Sequence, residues 1–236
     1  MSTGTNKARE AHTVKAALLG CGPRGVEHAE ALSAADDIDL VACCDARKDR
    51  CDELAQKHRL QGYYDVRRML ESERPDVVHL VTAPGRRLEE LELLEAAGIK
   101  ACVVEKPVAL GVANHNALSA FADSAAIKTA VCLQGRYDRD LSEACESAQL
   151  GPLVSVTVSS RMNVTFQGVH MIDRALCLAG DPIIHGETRV LGTVADGWTN
   201  EAGHLAPNSL LMHTVLPTGA ALLGSFGAEA RKAVPS

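Results

Sequence analysis

Aromatic residues are scarce in this chain, 3% of 236 positions with a single tryptophan, and nowhere do they interleave with a basic block. With a formal net charge of −6, the electrostatic footprint of a nucleic-acid binder is missing. No apolar run approaches the roughly 20 residues that a membrane-spanning helix needs. Residues 1–12 are polar and contain no apolar stretch, which predicts a frayed, disordered tail and not a secretory signal. The eight cysteines form no C-x-x-C pair and mostly sit inside apolar runs. The expectation is buried, reduced thiols in a cytoplasmic protein, without a disulfide framework. His185, His204 and His213 fall on different predicted elements from His170 and Asp173, without ligand spacing, so no metal site is expected. What the chain does have is apolar bulk. At 46% hydrophobic content it can bury a sizeable core as one large or two small domains.

The most informative stretch runs from Thr13 to His28. The apolar run Val14–Leu19 reads as a buried strand that ends on a glycine. It leads into Gly20, Cys21, Gly22, Pro23, Arg24 and Gly25, a G-x-G-x-x-G turn, and then into a helical pattern over 26–34. Each glycine has a physical job. The first permits a sharp turn, the second lets backbone approach a pyrophosphate, and the third lets helix and strand pack closely. The first-turn N–H groups of the helix, with its dipole, then face the phosphates. A second apolar run, Ile38–Cys44, ends on Asp45, 20 residues after Gly25, where a carboxylate meets an adenosine ribose. This is the pattern of a dinucleotide site.

The rest of the first half alternates strands and helices. A helix over 47–60 precedes a short strand at 61–64, and Asp65 caps a helix over Val66–Glu73. A strand at 76–82 is broken by Ala83, Pro84 and Gly85. A helix at 88–97 follows, with an apolar stripe of Leu88, Leu91, Leu94 and Ala97, closed by Gly98 as a left-handed cap. A strand at 100–104 ends in Glu105, Lys106 and Pro107, and a helix at 114–124 and a strand at 129–133 complete the set. Such spacing predicts a parallel sheet covered on both faces, with ligands beyond the strand carboxyl ends. Near residue 133 the pattern changes. A helix at 140–149, a strand at 153–159, a helix at 169–179 capped by Gly180, and strands at 188–194, 209–216 and 220–225 follow, the last two joined as a hairpin by Pro217, Thr218 and Gly219. The fold class is α/β: an N-terminal doubly wound Rossmann sheet over 1–133 and a smaller α+β domain over 134–236 with a mostly antiparallel sheet.

Spread over most of the chain, GCGPRG with Asp45, PDVVHLVTAPG, AAGIKACVVEKPVAL, GRYDRDL, LGPLVSVTV, GVHMIDRALCLAGDP and NSLLMHTVLPTGAALLGSFG resemble, in order, the glucose-fructose oxidoreductase, inositol dehydrogenase and rhizopine-catabolism (Gfo/Idh/MocA) superfamily of oxidoreductases. The resemblance implies that Lys106, in the E-K-P motif, lies by the nicotinamide and hydrogen-bonds the reacting substrate oxygen, with Pro107 after a cis bond. An ammonium there stabilises a developing alkoxide, and partial burial lowers its pKa toward proton transfer. The resemblance makes His170 the acid/base for the substrate hydroxyl, with Asp173 one turn later to orient its imidazole. Arg136 matches a family arginine at the domain junction, with a structural role favoured over substrate contact.

Phe166 stands where many members carry an aspartate paired with that histidine, and Leu88 where a histidine is usual. The second domain is short for the family, and an abbreviated sheet would leave edges needing cover. That predicts a homo-oligomer formed through the C-terminal sheet. The cofactor expectation is NAD, held by the glycine loop, Asp45, Ala46, Arg47, Thr82, Ala83, Pro84, Glu105 and Lys106. Asp45 favours a free 2′-hydroxyl, whereas Arg47 and Lys48 could hold a 2′-phosphate, so NADP stays open. The expected activity is hydride transfer between nicotinamide and a carbinol or carbonyl carbon of a small sugar-like or polyol substrate, bound through Lys106, Arg136, Phe166 and His170. An imine reductase and a dinucleotide sensor without turnover are the alternatives.

Overall fold

The computed structural model describes residues 13–139, 143, 154–160, 168–180, 189–193, 198–199, 205–206, 209–216 and 221–227. The 1–12 tail, most of the 140–149 helix, Phe166, His185, His204 and the 217–219 turn fall outside them. The chain divides into two compact units, Met1–Cys132 and Leu133–Ser236.

In the first unit six strands alternate with five helices: β1 Val14–Leu19, α1 Pro23–Ser33, β2 Ile38–Cys44, α2 Lys48–His58, β3 Gln61–Tyr63, α3 Val66–Glu73, β4 Val77–Leu80, α4 Arg87–Ala96, β5 Ala101–Val104, α5 Gly111–Ser124 and β6 Lys128–Val131. The strands form one parallel sheet in the order β3-β2-β1-β4-β5-β6. Side chains alternate across β1. Ala16 and Leu18 pack with Ala29, Leu32, Cys51 and Leu54 of α1 and α2. Ala17 and Leu19 pack with Met69, Leu70, Leu91, Leu94 and Leu118 of α3, α4 and α5. The strand order reverses at β1, with β2 and β3 laid to one side and β4, β5 and β6 to the other, and such a switch point places a crevice at the strand carboxyl ends.

Local signals explain most boundaries. The Asp65 carboxylate accepts from the N–H groups of Arg67 (2.8 Å) and Arg68 (3.2 Å) and starts α3. Gly98 takes φ 80° and ends α4. Two expectations are corrected. Helix α1 begins at Pro23 inside the glycine motif, three residues before the predicted start, because proline at the first helical position brings a helical φ and needs no N–H partner. In α4 the inward stripe is Arg87, Leu88, Leu91 and Leu94, while Ala97 is exposed. Buried Arg87 lies there because β4 and β5 present it with carbonyl oxygens, described below.

The second unit contains β7 Ser155–Ser160, α6 Val169–Leu178, β8 Arg189–Thr193, β9 Trp198–Thr199, β10 Leu205–Ala206, β11 Ser209–Val215 and β12 Ala221–Gly227. Its four-stranded sheet has the order β7-β12-β11-β8, with the β7–β12 pair parallel and the other pairs antiparallel. Val158, Ala175, Leu216 and Leu222 form a small core, backed by Met171, Ile172 and Leu176 of α6.

Candidate active site

The glycine loop is held in place by backbone and by one carboxylate. The Gly20 N–H donates to the Cys44 carbonyl (2.8 Å) and the Val81 N–H to the Leu19 carbonyl (2.8 Å), which fixes the loop between the ends of β2 and β4. Asp45 accepts from the Cys21 N–H (2.8 Å) at one oxygen and from the Arg47 N–H (2.8 Å) at the other. The glycines differ in what a side chain would meet. At Gly20, with φ 107°, a Cβ would come within 2.8 to 2.9 Å of Val81 and Thr82 backbone. At Gly25 it would run into the Gly20 carbonyl oxygen. At Gly22 only the Arg50 guanidinium is near, at 3.7 Å. Gly22 also caps α1 with no side-chain acceptor for the first-turn amides. Open space, uncommitted helix N–H groups and a carboxylate at the end of β2 together fit the pyrophosphate and ribose of a dinucleotide.

These residues border a cleft of about 530 Å³ lined by Gly20, Gly22, Asp45, Arg50, Thr82 and Ala83, among others. Arg50 is a lining cation that sequence reasoning missed, being one of several charges on a polar helix face. The two cations offered for a 2′-phosphate are engaged elsewhere. Arg47 pairs with Asp49 at 2.5 Å, and the Lys48 ammonium lies 5.1 Å from the centre of the Tyr64 ring.

A buried polar network underlies the E-K-P segment. The Glu105 carboxylate, 4% exposed, takes the Arg24 guanidinium at 2.7 Å and the His28 Nε2 at 3.2 Å, both on Oε1. Arg24 also pairs with Glu27. The other His28 nitrogen, Nδ1, is 3.0 Å from His79 Nδ1. Burial alone would raise Glu105, but the hydrogen bonds from His28 and Arg24 outweigh it and bring its pKa to about 2. Burial likewise opposes the charged form of His28, yet hydrogen bonds to Cys132 and Glu105 raise it to about 9. Burial, with the nearby His28 charge, lowers His79 to about 4. Hence His28 is an imidazolium that donates at both nitrogens, to Glu105 and to a neutral His79. Lys106 follows, half-buried, its peptide bond to Pro107 cis and its pKa lowered first by burial.

Arg87, 1% exposed, ties the ends of β4 and β5 together. It donates to the carbonyls of Leu80 (3.4 Å), Thr82 (2.9 Å) and Glu105 (3.4 Å) and to the Thr82 hydroxyl (3.1 Å). That hydroxyl in turn donates to Glu90 at 2.7 Å. Pro84 opens a 3₁₀ turn, Pro84–Arg86, and is buried.

In the second unit His170 and Asp173 lie on α6. Both oxygens of Asp173 accept from the Arg136 guanidinium, at 3.0 and 2.5 Å. The reason is the planar fork of arginine, which matches a carboxylate with two parallel bonds.

Cys21, Cys43, Cys44, Cys51 and Cys102 are buried free thiols, and Cys132 and Cys177 are half-buried. Among the described residues two donor sets have atoms within 4.8 Å of one another: Cys21, Cys43 and Cys51, and His28, Glu105 and Cys132. In the second, Arg24 already occupies the carboxylate with a positive charge, which disfavours a cation. No helix of the described residues is long and apolar enough to cross a membrane.

A Rossmann sheet with a glycine loop and a carboxylate at the next strand end defines a dinucleotide-binding protein. Residues 14–132 match the model of the Gfo/Idh/MocA oxidoreductases, a family with an NAD-binding Rossmann fold, and the chain belongs to that family. It is 32% identical over 114 residues to D-apiose dehydrogenase of Paraburkholderia graminis, covering 48% of this chain and 30% of that protein. It is 30% identical over 148 residues to myo-inositol 2-dehydrogenase of Thermotoga maritima, covering 61% of this chain and 44% of that one. The matches thus span less than half the length of either relative. A crystal structure of a probable dehydrogenase from Thermotoga maritima superimposes with a TM-score of 0.74 at 22% identity, over 91% of this chain and 68% of the other, and shares its fold.

Proposed function

We propose that this protein is an NAD-dependent oxidoreductase acting on a carbinol or carbonyl carbon of a small polyhydroxylated, sugar-like substrate. The observation that carries the reading is the glycine loop locked to Asp45 at the carboxyl ends of β1 and β2. The two relatives named for sugar and polyol dehydrogenation support the substrate class. When bound, the nicotinamide ring supplies the hydride donor or acceptor.

The chain's own residues do the rest. First-turn amides of α1 and the loop backbone hold phosphate, and Asp45 holds the ribose hydroxyls. Asp45 repels a 2′-phosphate, which favours NAD over NADP. Thr82, Ala83 and Pro84 border the cofactor at the end of β4. Lys106 donates a hydrogen bond to the reacting oxygen and stabilises the charge that develops on it; its lowered pKa brings proton transfer nearer to neutral pH. In the second unit Arg136 holds Asp173 and so braces α6, the helix that carries His170.

The test is nicotinamide absorbance turnover against sugars, polyols, keto-sugars and imines, with Lys106→Ala and His170→Ala alongside. Turnover on a polyol or sugar that falls by 100-fold or more in Lys106→Ala is expected, on the order of a lost general acid–base group. Tight NADH binding without turnover would overturn the reading.

The same reading includes self-association through the C-terminal sheet. Val154, Val215 and Leu223 are 80%, 56% and 38% exposed, at or beside β7, β11 and β12. Light scattering is expected to give at least a dimer, and a monomer at working concentration would remove this element.

A further inference from the structure

Three of the cysteines, far apart in any motif sense, are gathered by the fold to one place. Cys21 lies in the glycine loop, Cys43 on β2 and Cys51 at the start of α2. Side chains alternate along β2, so Cys43 turns to the face covered by α1 and α2 while Cys44 turns to the other. The Gly20 N–H bond to the Cys44 carbonyl and the Cys21 N–H bond to Asp45, each 2.8 Å, draw the loop onto the end of β2. The Cys51 N–H donates to the Arg47 carbonyl at 3.1 Å as α2 begins, and its thiol then lies 3.7 Å from the Cys43 carbonyl and 3.2 Å from that of Tyr63. All three sulfurs are within 4.8 Å of one another, on residues that are 4%, 0% and 0% exposed.

We propose that Cys21, Cys43 and Cys51 form a three-sulfur site for a soft metal ion, of which copper(I) is the cellular example. Three points no more than 4.8 Å apart share a centre about 2.8 Å or less from each, so a metal–thiolate bond of about 2.3 Å needs only a few tenths of an ångström of contraction. The donors set the class of ion. Thiolates in a dry pocket select soft ions over magnesium or calcium, which take oxygen ligands. Structural zinc takes four ligands, and among the described residues this set holds three. Unlike the set of His28, Glu105 and Cys132, it has no guanidinium on a donor atom. The thiols pass their protons to solvent as the ion enters. Cys21 directly precedes the amino end of α1 and Cys51 lies in the first turn of α2, so the positive ends of two helices offset part of the remaining thiolate charge. Gly20 and Gly22, on either side of Cys21, border the open cleft, which gives the ion a short path to its first ligand. Once bound, it ties the glycine loop to β2 and α2 from beneath.

The test is anaerobic titration of the reduced protein with copper(I) buffered by bicinchoninate, and none of its readouts depends on turnover or on NADH. The parent is expected to take up one tightly held equivalent, and Cys102→Ala, which removes a buried thiol from the other core cluster, to do the same. X-ray absorption of the loaded parent should show three sulfurs at about 2.3 Å. Cys21→Ala, Cys43→Ala and Cys51→Ala should each bind at least about 100-fold more weakly, since losing a ligand costs more than the roughly 10- to 100-fold of an outer-shell partner. Copper(I) should also raise the Tm of the parent and leave that of the three variants where it was. If one variant fails to fold, the other two decide. An equivalent held undiminished in the folded variants places the ion on other thiols and overturns the proposal. So does a parent that takes up no copper(I), or one that holds zinc(II) more tightly at the same sulfurs.

Discussion

Replacing Gly22 by alanine separates ligand binding from folding in a way the other two loop glycines do not. Gly22 has φ −73° and ψ −174°, an extended conformation open to any residue. The added Cβ meets only Arg50 Nη1, at 3.7 Å, an ordinary contact with the end of a flexible side chain. Removing a glycine at a compatible position stabilises by about 0.4–1 kcal/mol through the unfolded chain. For a chain of this size that is a rise in Tm of roughly 1–4 °C. The same methyl stands where phosphate must approach the helix amides. Losing one charge-assisted hydrogen bond costs about 1.5–3 kcal/mol, a fall in NADH affinity of roughly 10- to 100-fold. Gly25→Ala is the contrast. Its Cβ would overlap the Gly20 carbonyl oxygen, backbone against side chain with nothing flexible to yield. The expected cost is about 3 kcal/mol or more, a drop in Tm of at least roughly 6 °C. Differential scanning calorimetry and NADH fluorescence titration on the two variants read both quantities. Unchanged NADH affinity in Gly22→Ala would refute the phosphate assignment, and a Tm loss equal to that of Gly25→Ala would refute the steric argument.

Asp45→Ala deletes the acceptor of the Cys21 and Arg47 amides. Calorimetric titration should show NAD binding about 10-fold weaker or worse and a smaller preference over NADP; equal affinities in parent and variant would remove Asp45 from the ribose site. The buried histidines set opposite pH limbs. His28 is raised from 6.5 to about 9, so its stabilisation is full below pH 6.5 and is lost as pH climbs toward 9, by at most about 3 kcal/mol. His79 is lowered to about 4, so stability falls as pH drops from 6.5 toward 4. Urea melts across pH should show the alkaline loss flattened in His28→Gln, and an unaltered profile would count against the imidazolium. Arg87→Lys should not rescue Arg87→Met, because an ammonium lacks the fork that spans the ends of β4 and β5. Both should lose about 3 kcal/mol or more, and a lysine variant with parental Tm would contradict the bridging role.

Much of the first unit was readable along the chain. Short apolar runs punctuated by glycine and proline mark β1, β2, β4 and β5, and the Asp65 cap and Gly98 stop are local chemistry that needs no distant partner. Gly20, Gly22, Gly25 and Asp45 were readable for the same reason, since a strand, a turn and the next strand end lie within some thirty residues. The inward turn of Arg87 was not. On a helix face arginine reads as solvated, and only the carbonyls of Leu80, Thr82 and Glu105, gathered from two strands, give it a reason to be buried. Arg136 is a second case: helical spacing places Asp173 one turn from His170, but only the fold brings Arg136, 37 residues away in the chain, to the Asp173 carboxylate.

By itself, then, the sequence determined a parallel nucleotide-binding sheet and the loop that meets phosphate, because those depend on periodicity, turn chemistry and neighbours a few residues apart. Tertiary structure alone decided the company of Glu105. Arg24 and His28 from α1 meet at Glu105, with Cys132 beyond β6 beside them and His79 from β4 against His28, because the strand order β1-β4-β5-β6 sets distant segments side by side. Charges brought together across such distances leave no periodic trace in the chain, and burial is what makes them act on one another.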